Sequence, residues 1–137
     1  MRVTAFPREW RPFILRYGVM FLLCFSRCFT FLGPKPYLLF SDHKDIRRVS
    51  YDGSEINAVV GEQRIRSAHA LSFDVKESKV YWSDISGKMI QRASITPGSE
   101  VETVIDSGIK KVFGLAVDWI GRKLYWSEEG TYGTAPL

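Results

Sequence analysis

The sequence predicts an all-β fold built from repeated antiparallel four-stranded sheets, and three observations carry this prediction. The aromatic stretch Val80–Asp84 returns 44 residues later as Leu124–Glu128, and a degenerate copy, Leu38–Asp42, lies 42 residues earlier. An aspartate stands eight residues before the tryptophan of each complete copy, at Asp74 and Asp118. A spacing of roughly 40–45 residues with four short strands per unit is typical of a β-propeller blade.

Residues 1–36 precede the repeats and differ from them in composition. A basic start precedes the uncharged, mostly apolar run Tyr17–Ser26, and these are two of the three features that a secretory signal peptide requires. The third, a cleavage site between small residues, is poorly met by Ser26–Cys28. An uncleaved membrane anchor over Phe13–Leu32 is the alternative, because that stretch is long enough to span a bilayer, although Arg16 and Arg27 oppose insertion. An N-terminus without either role is the third interpretation.

Short runs of β-branched and aromatic residues, separated by turn residues, predict strands throughout residues 37–130. We expect three strands in a first blade, four in a second and two in a third: Tyr37–Phe40, Ile46–Tyr51 and Ala58–Val60; Ala70–Phe73, Val80–Ser83, Ile90–Ile95 and Glu102–Ile105; Leu115–Val117 and Leu124–Ser127. Residues 131–137 are expected to form a tail outside the repeats. The chain would then hold about two and a half blades, with open sheet edges at both ends.

The net charge of +4 does not indicate nucleic-acid binding. Six of the basic residues lie in residues 1–36 against the single acid Glu9, so the repeats themselves are slightly acidic. The two cysteines, Cys24 and Cys28, also precede the repeats, and a disulfide framework is therefore not expected to hold the globular part.

The repeated acids are the most conspicuous candidate site residues. Asp42, Asp84 and Glu128 occupy one position of successive blades, and Asp74 and Asp118 occupy another. An enzyme rarely needs one acid per blade, whereas a strand-end carboxylate can accept hydrogen bonds from backbone N–H groups of a neighbouring turn. We therefore predict a structural role. The extra methylene of Glu128 is expected to weaken this geometry.

The repeated aromatic residues are predicted to pack in the core rather than to bind a ligand. The two Tyr-Trp pairs end at Trp82 and Trp126. Successive side chains alternate across a strand, so one residue of each pair should face the core between blades. Short basic pairs such as Arg64-x-Arg66 are expected to be solvated loop charges, with an acidic-ligand surface as the alternative.

Catalytic and metal-binding signatures are missing from the sequence. His43 and His69 are the only histidines and have no metal-binding spacing, so no cofactor or metal is expected. Ser72 and Asp74 lie near His69, but there is no Gly-x-Ser-x-Gly elbow. A propeller enzyme is therefore the weakest functional hypothesis.

The repeats resemble the YWTD repeat (LDL-receptor class B repeat) of the LDL-receptor-related proteins. Tyr81–Asp84 preceded by Leu71–Asp74 carries the motif, as do the equivalent residues of the next repeat, and Tyr37–Arg47 is similar to the first strands of such a propeller. The resemblance implies six-bladed propellers in which the motif acid ties adjacent blades together. At residues 42 and 43, Asp-His stands where relatives commonly have Asn-Arg.

The resemblance also implies a function. We expect a non-catalytic, extracellular, ligand-binding part of a cell-surface receptor that recognises protein ligands in endocytosis or in signalling such as Wnt co-reception. A neighbouring EGF-like module would pack beside the propeller in a longer form, and the chain would enter the secretory pathway. The alternative is a truncated product with no independent binding activity. No ligand-contact residue is assigned by motif.

Overall fold

The computed structural model describes residues 22–24, 37–50 and 52–137, which form three antiparallel β-sheets. In each sheet every strand pairs with its neighbour in sequence. The first sheet contains β1 (Leu22–Cys24), β2 (Tyr37–Ser41), β3 (Ile46–Ser50) and β4 (Ile56–Val60); the second contains β5 (Ala68–Asp74), β6 (Lys79–Asp84), β7 (Met89–Ser94) and β8 (Glu102–Ile105); the third contains β9 (Val112–Asp118), β10 (Lys123–Glu128) and β11 (Thr131–Pro136). The predicted all-β fold is confirmed.

The three sheets are consecutive blades of a partial propeller. The first strands of neighbouring sheets, β1 with β5 and β5 with β9, contact each other. The chain passes from the last strand of one blade to the first strand of the next through residues 61–67, the first linker, and residues 106–111, the second linker. A short 3-10 turn, Glu62–Arg64, lies within the first linker.

Because the strands are antiparallel, each blade has two distinct ends. The linker side carries both linkers and the β2–β3 and β6–β7 turns. The hairpin side carries the β5–β6 and β9–β10 hairpins. Asp42, Asp84 and Glu128 therefore lie on the linker side, and Asp74 and Asp118 on the hairpin side.

The structure corrects the sequence analysis at both ends of the repeats. Strand β1 pairs with β2, so Tyr37–Ser41 is an inner strand rather than the expected open edge. Residues 131–137 were expected to lie outside the repeats, but β11 pairs with the whole length of β10. Gly133 lies opposite Trp126, and a Cβ atom there would come within 2.1 Å of the indole. The glycine therefore lets β11 pair beneath the indole.

Burial along the central strands identifies which sheet faces are covered. In β6, the five residues Val80–Asp84 are all buried, because the second sheet has a neighbour on each face. In β10, Leu124 is buried but Tyr125 and Ser127 are exposed. The third sheet therefore packs on one face only and leaves its other face open.

Two apolar cores hold the blades together. The core between the first and second sheets contains Leu39, Ile46, Leu71 and Trp82 among its buried residues. The core between the second and third sheets is built around Tyr81, Ile90, Val112 and Leu124.

Leu22–Cys24, within the proposed signal or anchor sequence, form β1 and pair with β2. The rest of that sequence lies outside the described ranges, and its role stays a prediction. Within the described ranges, the structure contains no helix long and apolar enough to cross a membrane.

Candidate functional site

Asp84 joins the first linker to the turn between β6 and β7. Its Oδ2 accepts a hydrogen bond from the backbone N–H of Arg66 at 2.9 Å, and its Oδ1 accepts one from Gly87 at 2.8 Å. The carboxylate is buried, so loss of these acceptors would leave two backbone donors without partners. Arg66 lies on the linker that arrives from the first blade.

Glu128 makes the equivalent contact in the next repeat. Its Oε2 accepts a hydrogen bond from the backbone N–H of Lys110, which occupies the position of Arg66 on the second linker. Among the described residues, Glu128 makes no counterpart of the second hydrogen bond that Asp84 makes to its turn. The longer side chain therefore keeps the bond to the linker and does not close the turn.

Backbone hydrogen bonds repeat beside these acids. The N–H of Ile85 donates to the carbonyl of Ser67 at 3.0 Å, and 44 residues later Glu129 donates to Lys111 at 3.2 Å. The carbonyl of His43, in the β2–β3 turn, accepts a hydrogen bond from Ala68, the first residue of β5, at 2.7 Å. This last bond connects the first blade directly to the second.

Asp42 differs from the other two motif acids because its neighbour is a second carboxylate. Asp42 Oδ1 accepts a hydrogen bond from the backbone N–H of Asp45 at 3.3 Å. Asp45 is only 3% exposed; Arg47 Nε donates to its Oδ2 at 2.6 Å, while its Oδ1 has no hydrogen-bond partner. Burial raises the pKa of Asp45 to about 6, and the neighbouring Asp42 carboxylate adds to the shift.

The pKa of Asp42 moves in the opposite direction. Burial disfavours its ionised form, but hydrogen bonds with the side chain and backbone of Asp45 outweigh burial and lower its pKa. The two carboxyl groups are therefore coupled, with Asp45 holding the proton more tightly. Arg47 lies 4.0 Å from Asp42 and adds a weaker attraction.

On the hairpin side, Asp74 performs two tasks with its two oxygen atoms. Its Oδ1 accepts hydrogen bonds from the N–H groups of Lys76 at 2.8 Å and Glu77 at 3.0 Å, which closes the β5–β6 hairpin. Its Oδ2 receives the guanidinium of Arg122, from the β9–β10 hairpin of the next blade, at 2.5 Å. Asp74 is fully buried and thus joins the second blade to the third.

Asp118 closes its own hairpin in the same way. Its Oδ1 accepts hydrogen bonds from Ile120 at 3.1 Å and Gly121 at 2.8 Å. Among the described residues its side chain has no basic partner corresponding to Arg122. Sequence analysis missed the role of Arg122, since Ser78 occupies the equivalent position of the preceding repeat.

The Tyr-Trp pairs face opposite sides of their strand, as alternation requires. Trp82 packs into the core between the first and second blades, and Tyr81 packs into the core between the second and third. Trp126 is half-buried against this second core, whereas Tyr125 is 43% exposed on the open face. In the second blade both members of the pair are thus core residues.

Two serine hydroxyl groups add hydrogen bonds between the second and third blades. Ser83 Oγ donates to the carbonyl of Val112 at 3.0 Å, and Ser72 Oγ accepts from the N–H of Val117 at 2.9 Å. Ser72 is therefore engaged in blade packing. The return of Ser83 as Ser127 was a signal in the sequence that pointed to such a role.

The described residues contain no cluster of three or more His, Cys, Asp or Glu side chains that could hold a metal ion. The ring of His69 makes an edge contact with Phe113, with 5.9 Å between centroids. The repeated acids, serines and aromatic side chains can hold the blades in a rigid frame. The loops on the surface of this frame can differ in sequence.

Comparison with known proteins agrees with this geometry. Residues 78–119 match the family model for the Low-density lipoprotein receptor repeat class B. The chain is 38% identical over 97 residues to Low-density lipoprotein receptor-related protein 5 of Mus musculus, covering 70% of this chain and 6% of that protein. It is 42% identical over 91 residues to Low-density lipoprotein receptor-related protein 4 of Homo sapiens, covering 66% of this chain and 5% of that protein.

Solved structures give the same fold. A chain from a nidogen/laminin complex superimposes with a TM-score of 0.65 at 29% identity, covering 73% of this chain and 40% of that chain. A streptogramin B lyase superimposes with a TM-score of 0.56 at only 12% identity, covering 77% of this chain and 39% of that chain, and this likeness is one of fold alone.

The fold and the repeated side-chain framework define a chain of YWTD propeller blades. The chain belongs to the LDL-receptor-related family of LDL-receptor class B repeat proteins. This family consists of receptor repeats and is generally non-enzymatic. The chain spans only 5–6% of the length of the two receptor-related proteins.

Proposed function

We propose that this chain is a non-catalytic, ligand-binding part of an LDL-receptor-related cell-surface receptor. It would recognise secreted or cell-surface proteins outside the cell, in endocytosis or in signalling such as Wnt co-reception. The proposal rests on one observation: the side chains that could act in catalysis are engaged in structural hydrogen bonds. These side chains are Ser72, Asp74, Ser83 and Asp84, which all bind backbone groups of their own or a neighbouring blade. A frame of this kind supports recognition by its surface loops.

We further propose that the repeated acids and tryptophans are structural rather than ligand-binding residues. Their contacts to linkers, hairpins and inter-blade cores support this role. The residues concerned are Asp42, Asp74, Trp82, Asp84, Asp118, Trp126 and Glu128. In a longer form of the protein, an EGF-like module would pack against the same frame.

Binding of extracellular proteins by the full chain tests the proposed function. The chain, expressed through the secretory pathway, would be immobilised and exposed to purified laminin, to a Wnt protein and to serum albumin as the control. Laminin is included because the nidogen relative was solved in a complex with it. We expect saturable binding of at least one of the two ligands and none of albumin.

A product with no independent binding is the second candidate. The open face of the third sheet, where Tyr125 is 43% and Tyr132 is 86% exposed, favours it, because a face of this kind ordinarily packs against another blade. A chain that unfolds cooperatively but binds neither ligand would favour this candidate and contradict the first.

A further inference from the structure

We propose that a groove on the linker side of the second blade binds an acidic side chain from an extended segment of a partner protein. The groove has a volume of about 360 Å³ and lies between the first linker and strands β7 and β8. It therefore lies at the outer part of the blade. This inference rests on the proposed role in protein recognition and adds the chemistry of the partner.

The basic character of the groove comes from two arginines on the first linker. Arg64 and Arg66 both line the groove and are exposed, and neither forms an ion pair with a described residue. Arg64 Nη1 donates to the carbonyl of Ser99 at 2.6 Å, which holds the side chain in place and leaves its other N–H groups available. Arg66 makes no side-chain hydrogen bond with a described residue.

The acid in the groove does not neutralise these donors through contact. Both oxygens of Asp84 already accept backbone hydrogen bonds, from Arg66 and Gly87. A carboxylate from a partner would instead meet two guanidinium groups. Arginine binds carboxylates through paired hydrogen bonds, which makes this combination stronger and more selective than contact with lysine.

The remaining lining suits a side chain with an aliphatic stem and a polar end. Ile65 and the half-buried Met89 supply apolar contacts. Gln91 lines the groove with an amide that makes no hydrogen bond to a described residue, and its Oε1 is buried without a partner. Rotation of this amide toward an N–H of the partner's backbone would break no existing hydrogen bond. A glutamate within an extended segment fits this combination.

The side chains that line the groove do not recur at the next junction. In the register of the repeat, Gly108 replaces Arg64 and Lys110 replaces Arg66. Gln91 pairs with Trp82 in β6, and Gly133 takes its place opposite Trp126 in β10. The side chains that line the groove are therefore not demanded by the blade architecture. The same comparison supplies a matched control, because Lys110 is an exposed cation at the equivalent position of the next junction, where the other lining side chains differ.

A labelled peptide with two glutamates, Gly-Leu-Glu-Gly-Leu-Glu-Gly, tests the proposal by fluorescence anisotropy against the full chain. Its analogue carries glutamine in place of both glutamates. We expect the glutamate peptide alone to bind, and Arg66→Gln to weaken binding by about tenfold, the effect of losing a charge-assisted hydrogen-bonded contact. Lys110→Gln should leave binding unchanged. Arg64→Gln should also weaken binding and serves as the second variant.

Four outcomes would overturn the proposal. Equal binding of the two peptides would exclude recognition of the carboxylate, and equal effects of Arg66→Gln and Lys110→Gln would indicate a general charge effect. Binding of a heparin oligosaccharide but not of the glutamate peptide would assign the groove to sulfated glycans. Laminin or Wnt binding that persists unchanged in Arg66→Gln, without peptide binding, would contradict the groove and leave the proposed function intact. Binding of the glutamate peptide by a chain that binds neither laminin nor Wnt would support the groove and contradict the proposed function.

Discussion

The guanidinium of Arg122 contacts the buried carboxylate of Asp74 across the junction between the second and third blades. A second contact from the same guanidinium reaches Glu77. Asp74 also accepts the hydrogen bonds that close its own hairpin. One carboxylate therefore stabilises a turn and binds a side chain of the adjacent blade.

Arg122→Ser should lower the thermal midpoint of the chain, because Asp74 would keep its two backbone donors and lose its charged partner. Serine is chosen because Ser78 occupies the equivalent position in the preceding repeat, with a similar left-handed φ of 53° against 55° for Arg122. Lys88→Ser is the control, since Lys88 is exposed with a φ of 51° and forms no ion pair with a described residue. Equal midpoints for the two variants would remove the inter-blade role of Arg122.

Asp84→Ala should destabilise the chain by about 1–3 kcal/mol, since two backbone donors lose a buried acceptor. Glu128→Ala should destabilise less, because Glu128 holds only the linker donor. Asp106→Ala, at an exposed position, should be nearly neutral and is the control. Urea denaturation midpoints measure all three, and a midpoint for Asp84→Ala equal to that of Asp106→Ala would refute the strand-end role.

The Asp42–Asp45 pair predicts a specific dependence on pH. The pKa of Asp45 is raised from 3.8 to about 6, so its contribution to stability is present at low pH and is lost as pH rises between these values. The lowered pKa of Asp42 acts in the opposite direction, with its contribution lost as pH falls. Asp42→Asn removes the neighbouring charge and should lower the pKa of Asp45.

We therefore expect Asp42→Asn to become more favourable, relative to the unmodified chain, as pH rises from about 4.5 to 7.5. The relative gain should be on the order of 1 kcal/mol, after discounting for solvent screening and for the opposing shift of Asp42. Urea unfolding of both chains at a series of pH values measures it, with Asp106→Asn as the control. Parallel curves for Asp42→Asn and the unmodified chain would show that the two carboxyl groups are not coupled.

The open face of the third sheet should cause self-association. Tyr125 and Tyr132 lie on this face, and burying one aromatic side chain contributes about 1.5–3 kcal/mol. Replacing both with serine should weaken association by at least about tenfold, measured by sedimentation equilibrium. Trp119→Ser is the control, because Trp119 is 40% exposed on the hairpin side and off this face. A monomeric unmodified chain would contradict the prediction.

Residues 1–36 should direct a fused cytosolic reporter into the secretory pathway. The apolar run after a basic start is the reason for this prediction. Glycosylation of a sequon placed in the reporter would report entry, and a fusion with Leu22 and Leu23 changed to Glu should abolish it. A reporter that stays cytosolic and unprocessed with the unmodified segment would exclude both the signal and the anchor interpretations.

The repeat in the sequence predicted the second blade well, because periodic apolar residues and turn residues are local signals. The strands around Trp82 and Trp126 lie close to where they were expected. Strand β11 was missed because its pairing depends on Gly133 lying under an indole from a different strand. The local sequence around Gly133 does not reveal that this glycine packs under an indole.

The sequence singled out residues of the candidate site but predicted only some of the contacts that they make. The repeated spacing located Asp74 and Asp84, but the partner of Asp74 comes 48 residues later, from a hairpin where the preceding repeat carries serine. The coupling of Asp45 to Asp42 was also missed, because Asp45 lies outside the repeated positions. Both relationships depend on tertiary packing, which residue spacing does not encode.

The linkers of this chain are fastened mainly through main-chain atoms. Ser67 and Lys111 contribute their carbonyl groups, and Arg66 and Lys110 contribute their amides, so almost any side chain at these four positions would preserve the fastening. Substitutions there can accumulate without loosening the contacts between blades. Each junction can thus diverge separately from the others, and a family built on this plan can acquire new specificities one junction at a time while inheriting an unchanged scaffold.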